Sequence, residues 1–99
     1  MSKNPLDIIK ENDEELFEAI SNSRETAFKE NALSKKNKLL IALALDAARG
    51  AENGVKSLAQ QAIKEGATKE EILDTLRITF YITGAGSIYT AARALNDIL

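Results

Sequence analysis

Ninety-nine residues, 44% apolar and 28% charged, suffice for one globular domain and leave no room for a second independent core. The formal net charge of −2 does not suggest nucleic acid as a partner. The chain has no cysteine and no histidine, which excludes disulfides, thiol nucleophiles and the commonest metal ligands, so no metal and no cofactor is expected.

The opening Met1-Ser2-Lys3-Asn4-Pro5 is polar and leads into no apolar stretch of the signal-peptide kind. The longest apolar run, Leu39 to Leu45, falls well short of the ~20 residues that a membrane span needs. The expected setting is the cytoplasm, without a membrane partner. Residues 1–31 carry eight acids against four bases, and residues 32–99 carry seven against nine.

Pro5 sits where a first helical residue is expected, with Asn4 as its cap. Leu6, Ile9, Leu16 and Ile20 recur at mostly helical spacing beside Phe17, with Asp13-Glu14-Glu15 on the other side. The spacing predicts one helix over about 5–22, continuing weakly to about 30, with Ser21-Asn22-Ser23 as its point of interruption. Ser34 caps a helix over about 35–48, closed by Gly50. Its run Leu39-Leu40-Ile41-Ala42-Leu43-Ala44-Leu45 is apolar on every side, and such a helix is normally covered on every side. In so short a chain, further copies of the chain supply that cover most easily.

The next helix spans about 51–65, with Val55, Leu58, Ala59, Ala62 and Ile63 as its apolar stripe and Gly66 as its stop. Thr68-Lys69-Glu70-Glu71 has the form of a capping box. The helix it opens runs to about Thr83, because Arg77-Ile78-Thr79-Phe80-Tyr81-Ile82, though rich in strand-forming residues, follows with no turn between. Gly84-Ala85-Gly86 breaks it, and a last helix from about Ser87 places Ile88, Ala92, Leu95 and Leu99 on one face. The fold class is all-α, with about five or six helices.

Leu33-Ser34, the apolar helix, the turn Ala48-Arg49-Gly50, the helix through Ala62, the element Gly66-Ala67-Thr68 followed by Glu70-Glu71-Ile72, and the Tyr81…Gly84…Ala92 tail together resemble the carboxymuconolactone decarboxylase family, which includes the alkylhydroperoxidase D-like proteins. The resemblance implies a single domain over 1–99, with 1–31 as an N-terminal helical segment and 33–99 as the family core. It also implies an alkylhydroperoxidase D-like helical bundle that forms a homo-oligomer, a trimer or a hexamer. Redox members of the family carry Cys-x-x-Cys-x-x-x-His, whose positions fall here on Ala51, Gly54 and Leu58. The glutamate that relays protons to that motif would fall near Leu39. Attack on a peroxide needs a thiolate with a base beside it, and all four positions are empty of such groups. Decarboxylases of the family also place a histidine near Leu58.

Other residues admit a chemical and a plainer reading. Asp46 interrupts the most apolar helix, with Arg49 three residues on. They are either an acid–base pair lining a pocket or an ion pair where the helix surfaces. Glu52, inside the vacated motif, is either a general base or a first-turn acid favoured by the helix dipole. Arg77 and Tyr81, one turn apart after Asp74, either grip a small carboxylate or form a solvated stripe. Ser57 has no base at hydrogen-bond spacing, and Lys35-Lys36-Asn37-Lys38 reads as a solvated basic face.

Two functions follow as expectations. The first is a family member without the redox centre and without peroxidase activity, acting in binding or scaffolding. The second is a lyase or decarboxylase on a small carboxylate or lactone, with Asp46 and Glu52 as catalytic groups and Arg49, Arg77 and Tyr81 as ligand-binding groups. A partner-binding module that docks through its acidic first helix is a third.

Overall fold

From residue 34 onward, side-chain caps at Ser34 and Thr68 open two of the helices and glycines at 50, 66 and 84 mark three helix ends. In the computed structural model, which describes residues 4–99, six helices follow one another: α1 (Asp7–Asn12), α2 (Glu14–Phe28), α3 (Lys35–Ala48), α4 (Glu52–Lys64), α5 (Lys69–Thr83) and α6 (Ala85–Leu95). No strand occurs among the described residues, and no helix there is long and apolar enough to cross a membrane.

The Ser34 hydroxyl accepts from the Asn37 amide at 3.1 Å and opens α3. At its other end Gly50 takes φ +77°, the left-handed conformation that glycine adopts without a Cβ penalty. The Gly50 amide then donates to the Ala47 carbonyl at 3.2 Å, and the Ala51 amide reaches back to the Asp46 carbonyl at 2.8 Å. Gly66 (φ +95°) ends α4 with the same pair of bonds, Gly66 to Ile63 at 3.0 Å and Ala67 to Ala62 at 2.9 Å. Both ends are Schellman motifs, which satisfy carbonyls that a bare helix end leaves open. The capping box closes at Thr68: its hydroxyl accepts from the Glu71 amide at 3.1 Å, and the Glu71 carboxylate accepts from the Thr68 amide at 2.9 Å. The other Glu71 oxygen takes a hydrogen bond from Lys36 Nζ at 2.8 Å, tying the start of α5 to the start of α3.

Leu39, Leu43 and Ala47 of α3, Val55, Ala59 and Ala62 of α4, Ile72 and Leu76 of α5, and Ala91, Ala94 and Leu95 of α6 form the core. The alanines let the helices approach closely. The α1–α2 segment leans on this core through Phe28, and none of the residues in α1 or α2 is buried.

Several details differ from the sequence expectations. The N-terminal helix breaks at Asp13, not at Ser21-Asn22-Ser23, which lie inside α2. Asp13 leaves the helical conformation so that its carboxylate can accept from the Leu16 amide at 3.0 Å, the usual competition between a short acidic side chain and the helix backbone. Asn4 Oδ1 accepts from the Leu6 amide at 2.9 Å, but regular helix begins at Asp7 and its cap position is Leu6, which makes no side-chain cap bond, so Asn4 is not the helix cap. In the last helix only Gly84 (φ +89°) is the break, and Ala85 and Gly86 already belong to α6. Its buried face is Ser87, Thr90, Ala91, Ala94 and Leu95, whereas Ala92 and Leu99 are exposed. Within one protomer α3 keeps an uncovered side, the side for which the sequence reading looks to further copies: Ile41 and Leu45 stand in the open, 48% and 64% exposed. The Lys35–Lys38 cluster is tied down as well, with Lys36 on Glu71 and Lys38 Nζ on the Lys29 carbonyl at 2.6 Å.

Candidate functional site

The turn that ends α3 sets the geometry around Ala51, Gly54 and Leu58. Because the Ala51 amide is held by the Asp46 carbonyl, the first turn of α4 folds back over the last turn of α3. Gly54 thereby comes to lie against the Asp46 side chain. A Cβ built on Gly54 would collide with Asp46 Oδ2 and stand 2.9 Å from Cγ. The Asp46 carboxylate therefore fills the space into which any side chain at position 54 would project. Its side chain is 17% exposed, and Oδ1 accepts from Arg49 Nε at 2.8 Å.

Asp46 and Gly54 line a cleft of about 420 Å3 between α2, α3 and α4. Leu58 lines it too, with Phe28, Ala42 and Leu45 as further apolar wall and Arg24, Ser57 and Gln61 as polar groups. The polar groups are chained: Arg24 donates to the Gln61 carbonyl oxygen at 3.4 Å, and the Gln61 amide donates to Ser57 Oγ at 3.1 Å. The cleft so has a carboxylate, a guanidinium and two neutral hydrogen-bonding groups around an apolar middle. It offers no thiol, no imidazole and no base beside a nucleophile. Among the described residues no group of three or more possible ligands comes together to hold a metal ion.

The remaining candidates are dispersed. Glu52 opens α4 and accepts from Arg93 Nε at 2.8 Å, an exposed pair that ties α4 to α6. Arg77 pairs with Asp74 at 3.1 Å on exposed α5, and Tyr81 is 85% exposed. None of these lines the Asp46 cleft, and Arg49 reaches it only through its bond to Asp46. Leu39 is in the core, and Ala51 is half-buried at the turn. Arg24 and Gln61 have no counterpart among the sequence candidates. Gln61 was findable: Gly54, Ser57, Leu58 and Gln61 follow the i, i+3, i+4, i+7 spacing of one helix face. Arg24 reaches the cleft from α2, where it meets Gln61 of α4, a long-range approach that no local pattern announces.

The sequence profile described as the carboxymuconolactone decarboxylase family matches residues 14–97. Two uncharacterized proteins of Methanocaldococcus jannaschii are similar along nearly the whole chain. MJ1511 is 29% identical over 94% of this chain and 87% of its own length, and MJ0742 is 31% identical over 94% and 90%. The crystal structure of apo-lpg0406, a carboxymuconolactone decarboxylase family protein from Legionella pneumophila, superposes with a TM-score of 0.86 at 36% identity, covering 92% of this chain and 81% of that one.

Proposed function

The chain belongs to the carboxymuconolactone decarboxylase family, and on that premise we propose that it is a homo-oligomeric, ligand-binding member without thiol peroxidase activity. The observation that carries this reading is the seat of Asp46 against Gly54. The second motif position is not merely short of a thiol. Its side-chain space is taken by a carboxylate that Arg49 holds in place. A dithiol cannot be regained there without displacing that carboxylate.

The cleft's own groups suggest the ligand class. Arg24 supplies a guanidinium suited to a carboxylate, Ser57 and Gln61 supply hydrogen bonds, and Phe28, Leu45 and Leu58 supply apolar contact. Asp46 adds an acceptor, which favours a small carboxylate that also carries a hydroxyl or amino donor. The lyase alternative draws on Asp46, Glu52, Arg49, Arg77 and Tyr81 together, and these do not line one cleft. The homo-oligomeric part rests on the exposed apolar residues of α3 and α5.

Thermal shift with a panel of small hydroxy and amino carboxylates tests the binding reading. At least one is expected to raise the melting temperature of the wild type and to lose that effect in Arg24→Met. If no member of the panel shifts the wild type, or if Arg24→Met responds as the wild type does, the reading fails.

A further inference from the structure

A second cavity, of about 540 Å3, lies between the N-terminal helices and the core. It borders the Asp46 cleft at Arg24, Phe28 and Gln61, which line both. Leu6, Phe17 and Ile20 give it a half-buried apolar wall. Its charges are sorted. Residues 1–31 carry eight acids against four bases, yet two of those four bases, Arg24 and Lys29, line this cavity, and Lys35 of α3 joins them. Glu25 is the one acid in the lining among the described residues. Three bases against one acid reverse the balance of the segment that supplies two of them.

These cations have little to hold them within the chain. Among the described residues neither Arg24 nor Lys29 enters an ion pair, and the pair of Lys35 with Glu65, at 3.9 Å, is the loosest there. Arg24 donates to the neutral Gln61 at 3.4 Å, longer than the usual N–H···O range. Cations of one sign gathered at a cleft raise the local concentration of anions. Beside an apolar wall, they fit an anion with an organic body.

Resting on the ligand-binding reading above, we propose that the ligand is an organic dianion that spans both cavities. One carboxylate sits on Arg24 at the border, with its hydroxyl or amino donor towards Asp46. The second anionic group, a carboxylate or a phosphate, lies at Lys29 and Lys35, and the carbon chain between the two packs on Phe28. The guanidinium suits a planar carboxylate, whereas the lysine ammoniums act as point charges on either kind of anion.

Isothermal titration calorimetry with matched probes tests this: α-hydroxyglutarate against α-hydroxyvalerate, α-hydroxyadipate against α-hydroxycaproate, and phosphoserine against serine. Each pair differs in the distal anionic group, and the phosphoserine pair tells phosphate from carboxylate. The wild type is expected to bind at least one dianion about tenfold more tightly than its match. In Lys29→Gln/Lys35→Gln that advantage should fall to about twofold or less, with the affinity for the match unchanged. Lys64→Gln/Lys69→Gln removes the same charge from exposed positions outside both cavities and should keep the full advantage. Dianions that bind no tighter than their matches overturn the spanning site and leave the ligand-binding reading standing. So does an advantage that survives Lys29→Gln/Lys35→Gln, or one that both double variants lose alike. If no probe binds the wild type, the spanning site is overturned, and the thermal-shift panel decides the binding reading separately.

Discussion

Replacing a helical glycine by alanine ordinarily stabilises a helix, by about 0.5–1 kcal/mol, because glycine loses more backbone freedom on folding. At Gly54 the sign should reverse. The added Cβ meets the Asp46 carboxylate, with Cγ at 2.9 Å and the Asp46 Cβ at 3.5 Å. Asp46 is too short to bend aside, so its side chain must rotate and give up the Arg49 bond. Overpacking of this kind costs about 1–3 kcal/mol, and subtracting the ordinary gain leaves a net loss of about 0–2.5 kcal/mol. Gly86→Ala is the reference. It also lies in a helix, and its Cβ would meet nothing within 4 Å, so a gain of up to about 1 kcal/mol is expected. Urea denaturation followed by circular dichroism reads both variants. In an Asp46→Ala background Gly54→Ala should become as favourable as Gly86→Ala, giving a coupling of about 1–3 kcal/mol in a double-mutant cycle. If Gly54→Ala stabilises the wild-type background as much as Gly86→Ala does, the carboxylate does not occupy that space and the reasoning about the vacated motif is wrong.

Leu43, fully buried at the centre of α3, should cost about 2–5 kcal/mol when truncated to alanine, a large part of the stability of a domain this size; a loss under about 1 kcal/mol in urea melts would mean the core is elsewhere. Thr68→Ala removes one half of the capping box and should lower stability by about 1 kcal/mol and the melting temperature by about 4–8 °C, with a Glu71→Ala change adding less on top than it does alone. The pH dependence has a definite sign. The Lys36 hydrogen bond, then the Thr68 amide, hold the Glu71 carboxyl below its ordinary value of 4.5. Its contribution is therefore present above that value and lost as pH falls through the lower, folded one. Wild type should lose more stability than Lys36→Met over that acid range, and parallel curves for the two proteins would contradict the assignment.

The capped part of the fold was legible because its signals are local. Ser34, Gly50, Gly66 and the Thr68…Glu71 pair each set a helix end within three or four residues. Asp13 was missed because an acid inside an amphipathic pattern reads as a solvated position, and only the backbone shows that it caps. The buried face of α6 was misjudged for a different reason. Ser87 and Thr90 are polar by composition, yet their hydroxyls bond the carbonyls of Gly84 and Gly86 at 2.8 and 3.2 Å and are buried without cost in unmet hydrogen bonds. At the candidate site Asp46 and the positions Gly54 and Leu58 were all identifiable. Their convergence, the seat of the carboxylate on Gly54 and the arrival of Arg24 from α2 depend on helix packing, which a linear pattern does not carry.

Hydroperoxide consumption in the presence of excess dithiol tests the central claim most directly, namely that the vacated motif has become a carboxylate-filled binding cleft rather than a redox centre. The rate with the wild-type chain should equal the rate without protein at every protein concentration. A saturable, protein-dependent rate would contradict the account.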